Sequence, residues 1–392
     1  MKSVFILSAV RTAIGKYGGS LSDFTAPDLG VCVARAVMER AGISPEDVNE
    51  TIFGHGRQAG SGPNPARQIS VRAGVPVTVP AYTVNQACAS GMKAITLGYQ
   101  EIVLGHADVI LAGGTESMSR MPYYLESARW GARLGHQELV DSMYRDGFFC
   151  PLSQLIMGET AEVLAEQYHI PREEQDAFAL ASQQHAQKAI ESGRFRDEIV
   201  PVTVKEKKGE RIFDTDEHPR FGTTPQMLAR LAPVFSKSGT VTAGNSSGIT
   251  DAAAALVLVS DDRMKKMGAK PLARIVDYTT AAVDPRVMGI GPVPAVQRLL
   301  MKTGTRLDDY DLVELNEAFA AQVLACDREL HFDRERLNVN GGAIALGHPI
   351  GCTGARIVTT LLHEMKKRQF KRGLATLCVS GGMGMAVALE AP

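Results

Sequence analysis

The sequence predicts an α/β fold with largely buried sheets, and three observations carry that expectation. Short apolar runs alternate with helix-like segments along most of the chain. Hydrophobic residues make up 45% of the 392 positions, enough for two or three structural units, each with its own core. A stretch of different texture, from about Ser119 to Gly248, interrupts the alternation and reads as an insertion.

Taken in order, SVFILSAV near the start is a strand, and LGVCVARAVMERAG spaces its apolar residues as one face of a helix. DVILAGG, AAALVLVS, ARIVDYTT and ATLCVSGG are further strands, with VPAVQRLLMKTG a helix between the last two. Runs that are apolar throughout, without a polar alternate, indicate strands covered on both faces. The insertion carries scattered aromatics, methionines and charge, and one clear helix with Pro171 near its start and Gly193 past its end. A lid or binding domain is the expectation there. VNQACASGMKAITLG followed by DVILAGGTESM echoes VNGGAIALGHPIGCTGARIV followed by ATLCVSGGMGM. Any α/β chain repeats strand, turn and helix, so duplication and coincidence both account for the echo.

Composition narrows the function. A formal net charge of -1 exerts no general pull on nucleic acid or anionic membrane, so an anionic ligand needs a local site. The apolar start is too short for a signal peptide or membrane span, and no later run approaches spanning length, which makes a cytoplasmic enzyme the expectation. Six cysteines lie apart without CxxC pairs, so neither a disulfide framework nor a zinc ribbon is indicated.

Four places could carry chemistry. Cys88, in NQACASGMKAI, precedes a helix opening, where unpaired N–H groups and the positive end of the dipole favour a thiolate; a small buried residue beside a tight turn is the other reading. Cys378 ends an apolar strand that runs into Gly381 and Gly382, either as a reactive thiol beside open backbone or as a core residue before a bulge. His348 lies in GGAIALGHPIGCTGAR, which has five glycines in sixteen positions but neither a P-loop nor a clean GxGxxG. Proton transfer suits it better than a phosphate cradle, with a hydrogen-bonded structural histidine the alternative. Asn316 and Glu317 sit at a strand-to-helix junction, where they cap the helix or Asn316 orients a water or carbonyl oxygen. A metal site is not expected: only His348 and Cys352 are spaced as ligands, and Pro349 and Gly351 interrupt a regular helix between them. His55, His106, His169 and His185 read as surface or core residues.

Together, NQACASG around Cys88, AGGTESMS at 112–119, TAGNSSGITDAAAA at 242–255, NEAFA at 316–320, GGAIALGHPIG at 341–351 and CVSGGMG at 378–384 resemble the thiolase family over essentially the whole chain. The resemblance implies the thiolase fold: two similar layered α/β halves, each a five-stranded sheet covered by helices. The N-terminal half would comprise 1–118 and 249–271, the C-terminal half 272–392, and 119–248 the loop domain that holds coenzyme A. It implies acyl exchange by a ping-pong route, with Cys88 the nucleophile, His348 its base and Cys378 the acid/base at the substrate α-carbon. One oxyanion hole would come from His348 and a water held by Asn316, the other from the backbone N–H groups of Cys88 and Ser380. Arg220 matches the basic residue near the nucleotide end, Ser247 a pantetheine contact, and Met157 and Phe319 pocket positions. No resident cofactor is implied, coenzyme A being substrate or product, and the assembly would be a homotetramer.

The chain departs from the family pattern at Ser380, where glycine is frequent, and at Ile156, where the short-chain biosynthetic branch usually has histidine. Met383 matches that branch, whereas Met227 replaces a serine of some relatives, so that contact is not carried over. The expected reaction is formation or cleavage of acetoacetyl-CoA, with a medium- or long-chain degradative thiolase as the alternative. A decarboxylating ketoacyl synthase, which generally uses one cysteine and two histidines, and a non-catalytic acyl-CoA or lipid carrier are the remote ones.

Overall fold

The computed structural model describes residues 2–207 and 209–392. Its frame is laid down by β1 (Val4–Thr12), α1 (Ala26–Ala41), β2 (Glu50–Gly54), β3 (Ala81–Val84), α2 (Ser90–Leu104) and β4 (Val109–Ser117). After an inserted segment containing α3 (Met157–Gln167) and α4 (Arg172–Glu191), the frame resumes with β5 (Thr250–Ser260) and β6 (Ala273–Ala282). Next come α5 (Pro292–Thr303), β7 (Leu312–Leu315), α6 (Ala320–Leu330), α7 (Ile350–Arg368), β8 (Arg372–Val379) and β9 (Met383–Glu390).

These strands lie in the order β7-β8-β9-β6-β1-β5-β4-β2-β3. Within each half the order is matched: β2 runs parallel to β4 as β7 does to β8, and antiparallel strands follow toward the middle. Strands β4 and β5 are buried along their whole length, which explains the apolar runs 109–114 and 252–259 within them.

Two expectations need correction. The halves are joined in one sheet by a short antiparallel pairing of Phe5 and Ile6 with Arg274 and Ala273. The C-terminal half also has four strands, with only a single bridge from Val313 to Leu337 where a fifth would lie. The reason is local: Asn338 has φ +46°, and its carboxamide accepts from Leu315 N–H and donates to Leu315 C=O, taking the place of a strand's peptide group. The insertion likewise holds α3 besides the expected helix, whose bounds, with Pro171 as N-cap, agree with the sequence signals.

Helices α2 and α7 pack against each other, and α7 also meets strands of both halves. Glycine makes this close crossing possible. A Cβ on Gly91 would stand 2.8 Å from the Ala355 nitrogen, and one on Gly354 2.4 Å from the Met92 nitrogen. The N-terminal ends of both helices therefore meet at one place, where the site lies. No helix of the described residues is long and apolar enough to cross a membrane.

Candidate active site

A cavity of about 530 Å³ opens where the two helix starts meet, and Cys88, His348, Cys378 and Ser380 all line it. Met157, Phe319, Ser247 and Arg220, the expected coenzyme A contacts, share the same walls. Asn316 does not line it; it lies buried just beyond the end of β7. Met227 is 55% exposed and absent from the lining.

Cys88 sits in a single 3-10 turn immediately before α2. Ala87 before it has φ +45°, a conformation costly for a residue with a Cβ and held by hydrogen bonds from Ala87 N–H to Asn85 Oδ1 (2.9 Å) and from Ser90 Oγ to Ala87 C=O (2.6 Å). The expected thiolate-favouring environment needs correction. Burial pushes the Cys88 thiol upward and outweighs the Arg57 charge and the N–H groups of Ser380 and of Cys88 itself that face the sulfur. The isolated thiol is therefore held protonated, and a base has to take its proton.

His348 lines the same cavity as Cys88. Thr353 Oγ1 lies 2.6 Å from His348 Nδ1 and 3.0 Å from Pro349 C=O. Donation of the hydroxyl hydrogen to Pro349 C=O is the arrangement in which Nδ1 carries its own proton. Nε2 is left with a free lone pair. Burial, then the positive charges of Arg356 and Arg57, hold the imidazole pKa down to about 3, so the ring is neutral. The loop is fixed by His348 N–H on Gly248 C=O at 2.9 Å. Pro349 is the N-cap of α7, which begins at Ile350, so His348 and Cys352 do not share a helix.

Cys378 is fully buried at the end of β8 and packs with Met288, Ala318 and Phe319. Burial first, then the nearby Cys88, push its thiol well up, which keeps it a proton donor. Asn316 and Glu317 do not cap α6, whose N-cap is Phe319. Glu317 instead accepts from Ser182, Asn338 and Ile344, while both polar atoms of the Asn316 carboxamide lack a protein partner. An unpartnered buried amide is a place for water.

Several groups that sequence reasoning missed support this arrangement. Glu116, buried at the end of β4, accepts from Gly56, Arg57 and Gly351 N–H, the last at 2.7 Å, and pairs with His55 at 2.9 Å. These interactions hold it below the usual carboxylate range despite burial. His218, in the cavity wall, has its Nδ1 2.8 Å from Ala345 C=O. No local pattern marks these residues, because their partners lie far away in sequence. Among the described residues, no group of three or more His, Cys, Asp or Glu is placed to hold a metal ion.

Mixed β-sheet halves, paired central helices and two cysteines with a neutral histidine in one cavity define an acyl-transferring class of enzyme. The chain matches the family models for "Thiolase, N-terminal domain" over residues 4–262 and "Thiolase, C-terminal domain" over residues 269–391. It is 55% identical over 390 residues to an acetyl-CoA acetyltransferase of Pseudomonas aeruginosa, covering 99% of each chain. The crystal structure of the Bacillus anthracis acetyl-CoA acetyltransferase superposes with a TM-score of 0.98 at 50% identity, covering 100% of this chain and 99% of that one. Human mitochondrial 3-ketoacyl-CoA thiolase in complex with CoA superposes at 0.96 with 45% identity, covering 100% and 98%. The chain belongs to the thiolase family, and it is an acyltransferase.

Proposed function

We propose that this thiolase catalyses the reversible Claisen condensation of two acetyl-CoA to acetoacetyl-CoA, and the reverse thiolysis, through an acyl group on Cys88. The observation that carries the reading is the shared cavity, with Cys88 and Cys378 as protonated thiols beside a histidine whose Nε2 is free.

In thiolysis, His348 Nε2 takes the Cys88 proton and the sulfur attacks the 3-keto carbon. The C2–C3 bond breaks, its electron pair goes to C2, and Cys378 gives C2 its proton, releasing acetyl-CoA. The thiol of free coenzyme A then gives its proton to the Cys378 thiolate, its sulfur takes the acyl group, and the Cys88 sulfur leaves and recovers its proton from His348. Two oxygens become negative along this path. The N–H groups of Cys88 and Ser380, both facing the Cys88 sulfur, suit the oxygen of the acyl group, while His348 and a water on Asn316 would serve the thioester enolate.

Coenzyme A would enter past Arg220, which is exposed and has no ion-pair partner among the described residues, and run along Ser247 and Met157 toward Phe319. This assigns the inserted segment of 119–248 as the coenzyme A-binding domain between an N-terminal half of 1–118 and 249–271 and a C-terminal half of 272–392. The exposed Leu125, Trp130, Leu134 and Leu139, apolar side chains concentrated in one part of the insertion, suit a subunit contact, and the homotetramer rests on the family resemblance. Six free cysteines suit a reducing cytoplasm.

Ile156 favours a second reading, thiolysis of longer 3-ketoacyl chains, because it lines the cavity with Phe148, Phe235 and Met288 and extends its apolar wall. Comparing kcat/KM for acetoacetyl-CoA and 3-ketooctanoyl-CoA decides between them. Preference for the four-carbon substrate is expected, and comparable or higher values for the longer one would establish the broad enzyme. Absence of any thiolysis would overturn both.

A further inference from the structure

Arg356 is fully buried in α7, yet Nε, Nη1 and Nη2 all lack a hydrogen-bond partner among the described residues. Its nearest carboxylate oxygen, on Glu314 of β7, is 3.6 Å from Nη1, beyond a direct hydrogen bond. A guanidinium in this state is expensive unless something polar meets it. Glu314 lies in β7 and faces Arg356, and Asn316 is the first residue beyond the end of that strand. Asn316 also presents two buried, unpartnered polar atoms. Arg356 and Asn316 thus leave five polar atoms orphaned, three and two, with Glu314 beside the guanidinium.

We propose that Arg356, Glu314 and Asn316 enclose a buried chamber of ordered water, and that through it Arg356 is a positioning residue for the water shared by Asn316 and His348. The inference rests on the roles given to His348 and Asn316 above and extends them to a pair of residues outside the cavity wall. Water satisfies the guanidinium donors and both ends of the carboxamide at once, and a connected set of such waters is oriented by the fixed charge. Arg356 also has an electrostatic reach. It follows burial as the largest influence holding the His348 pKa down to about 3, ahead of Arg57 from the segment after β2 and against Glu116 from β4. The thiols of Cys88 and Cys378 and the His218 ring line the same cavity as His348. Burial raises Glu314, with Arg356 opposing the rise and Glu317, Glu198 and Glu364 adding to it.

The first test needs no substitution. A high-resolution crystal structure of the unaltered protein should show ordered water bonded to Arg356 and continuing to Asn316. Direct protein partners on every guanidinium nitrogen, without connecting water, would overturn the chamber. The second test compares Arg356→Met with Arg356→Lys, each checked for cooperative unfolding, in the pH profile of acetoacetyl-CoA thiolysis. Arg356→Met should lower kcat about tenfold or more with little change in KM, and move the acid limb upward by about one pH unit, since one pKa unit corresponds to a tenfold change in proton affinity. Arg356→Lys, which keeps the charge, should leave the acid limb in place. A folded Arg356→Met enzyme with unchanged kcat and acid limb would sink the positioning role. Failure of unaltered protein to acquire an acetyl group on Cys88 from acetyl-CoA would instead bring down the function proposed above, so the two failures are separable.

Discussion

The two halves of the molecule use equivalent helix starts for different chemistry. In the N-terminal half the chain enters α2 through one tight turn that carries Cys88, with the strained Ala87 before it. In the C-terminal half the corresponding entry to α7 is longer, with a short helix at Ala343–Leu346, and it delivers His348 just outside the helix. The strand ends complete the contrast by crossing over. Glu116, at the end of β4, holds the N–H of Gly351 in α7, whereas Ser380, beyond β8, directs its N–H at Cys88 before α2. Each half therefore holds the helix start of the other, and residues of both line the cavity.

The largest break in this comparison is Cys88→Ala. It removes the bond-forming atom and leaves the crossing of α2 and α7 intact, so kcat should fall by a factor on the order of 10⁶. Intact-mass measurement after exposure to acetyl-CoA should show no acetyl adduct, and an adduct elsewhere in the chain would displace Cys88 as nucleophile. Next comes the crossing contact. Glu116→Gln keeps the shape but turns one acceptor into a donor facing backbone N–H groups, with a cost of about 1–3 kcal/mol in stability. Because this contact sets where α7 begins, kcat should fall about 10²-fold through displacement of His348. A loss of stability with full activity would show that the tie between the halves is structural only.

Acid sharpens the contrast further, since both groups have depressed pKa values in the folded state. For His348, held near 3 against 6.5 for the free side chain, the unfolded chain takes up a proton first, so stability is lost as pH falls from about 6.5 toward 3. For Glu116 the contribution present above the ordinary carboxylate pKa disappears as pH falls through its lower folded value. Thermal unfolding between pH 7 and 4 should therefore show falling Tm, and His348→Asn should flatten the curve most below about pH 5.5, where the unfolded side chain is charged and the folded one neutral. An unaltered slope would mean that His348 is not buried as a neutral ring.

How much of this was legible follows from the range of each interaction. Strand runs, the helix after Pro171 and the motifs around Cys88, His348 and Cys378 are local patterns, and the sequence carries them openly. The same local logic failed for the Cys88 environment, because proximity to a helix start is visible in sequence whereas burial is not. At Asn316 it left a cap and a holder of water both open, and the structure has Phe319 in the capping role. Thr353, which sets the His348 tautomer, is only five residues away but looks like any other helical threonine. Glu116 and Arg356 act through partners on other elements, so nothing beside them in the chain announces their roles.

The smallest effect tests the far end of the cavity. Arg220 is exposed at the cavity mouth, with its N–H on Gln183 Oε1 at 2.9 Å, so the backbone is anchored to α4 while the guanidinium is free for a phosphate. Solvent screening limits such a contact to about 1 kcal/mol, so Arg220→Ala should raise the apparent KM for coenzyme A about fivefold. The Cys88 and His348 entries lie in the two halves and Arg220 in the insertion, so kcat at saturating coenzyme A should hold steady. Raising the ionic strength should erase much of the difference between variant and parent, because an exposed charge is screened within about 8–10 Å at 0.1–0.15 M salt. An unchanged KM at low salt would move the nucleotide away from Arg220, and a fall in kcat would show that the insertion is coupled to the chemistry of the halves it covers.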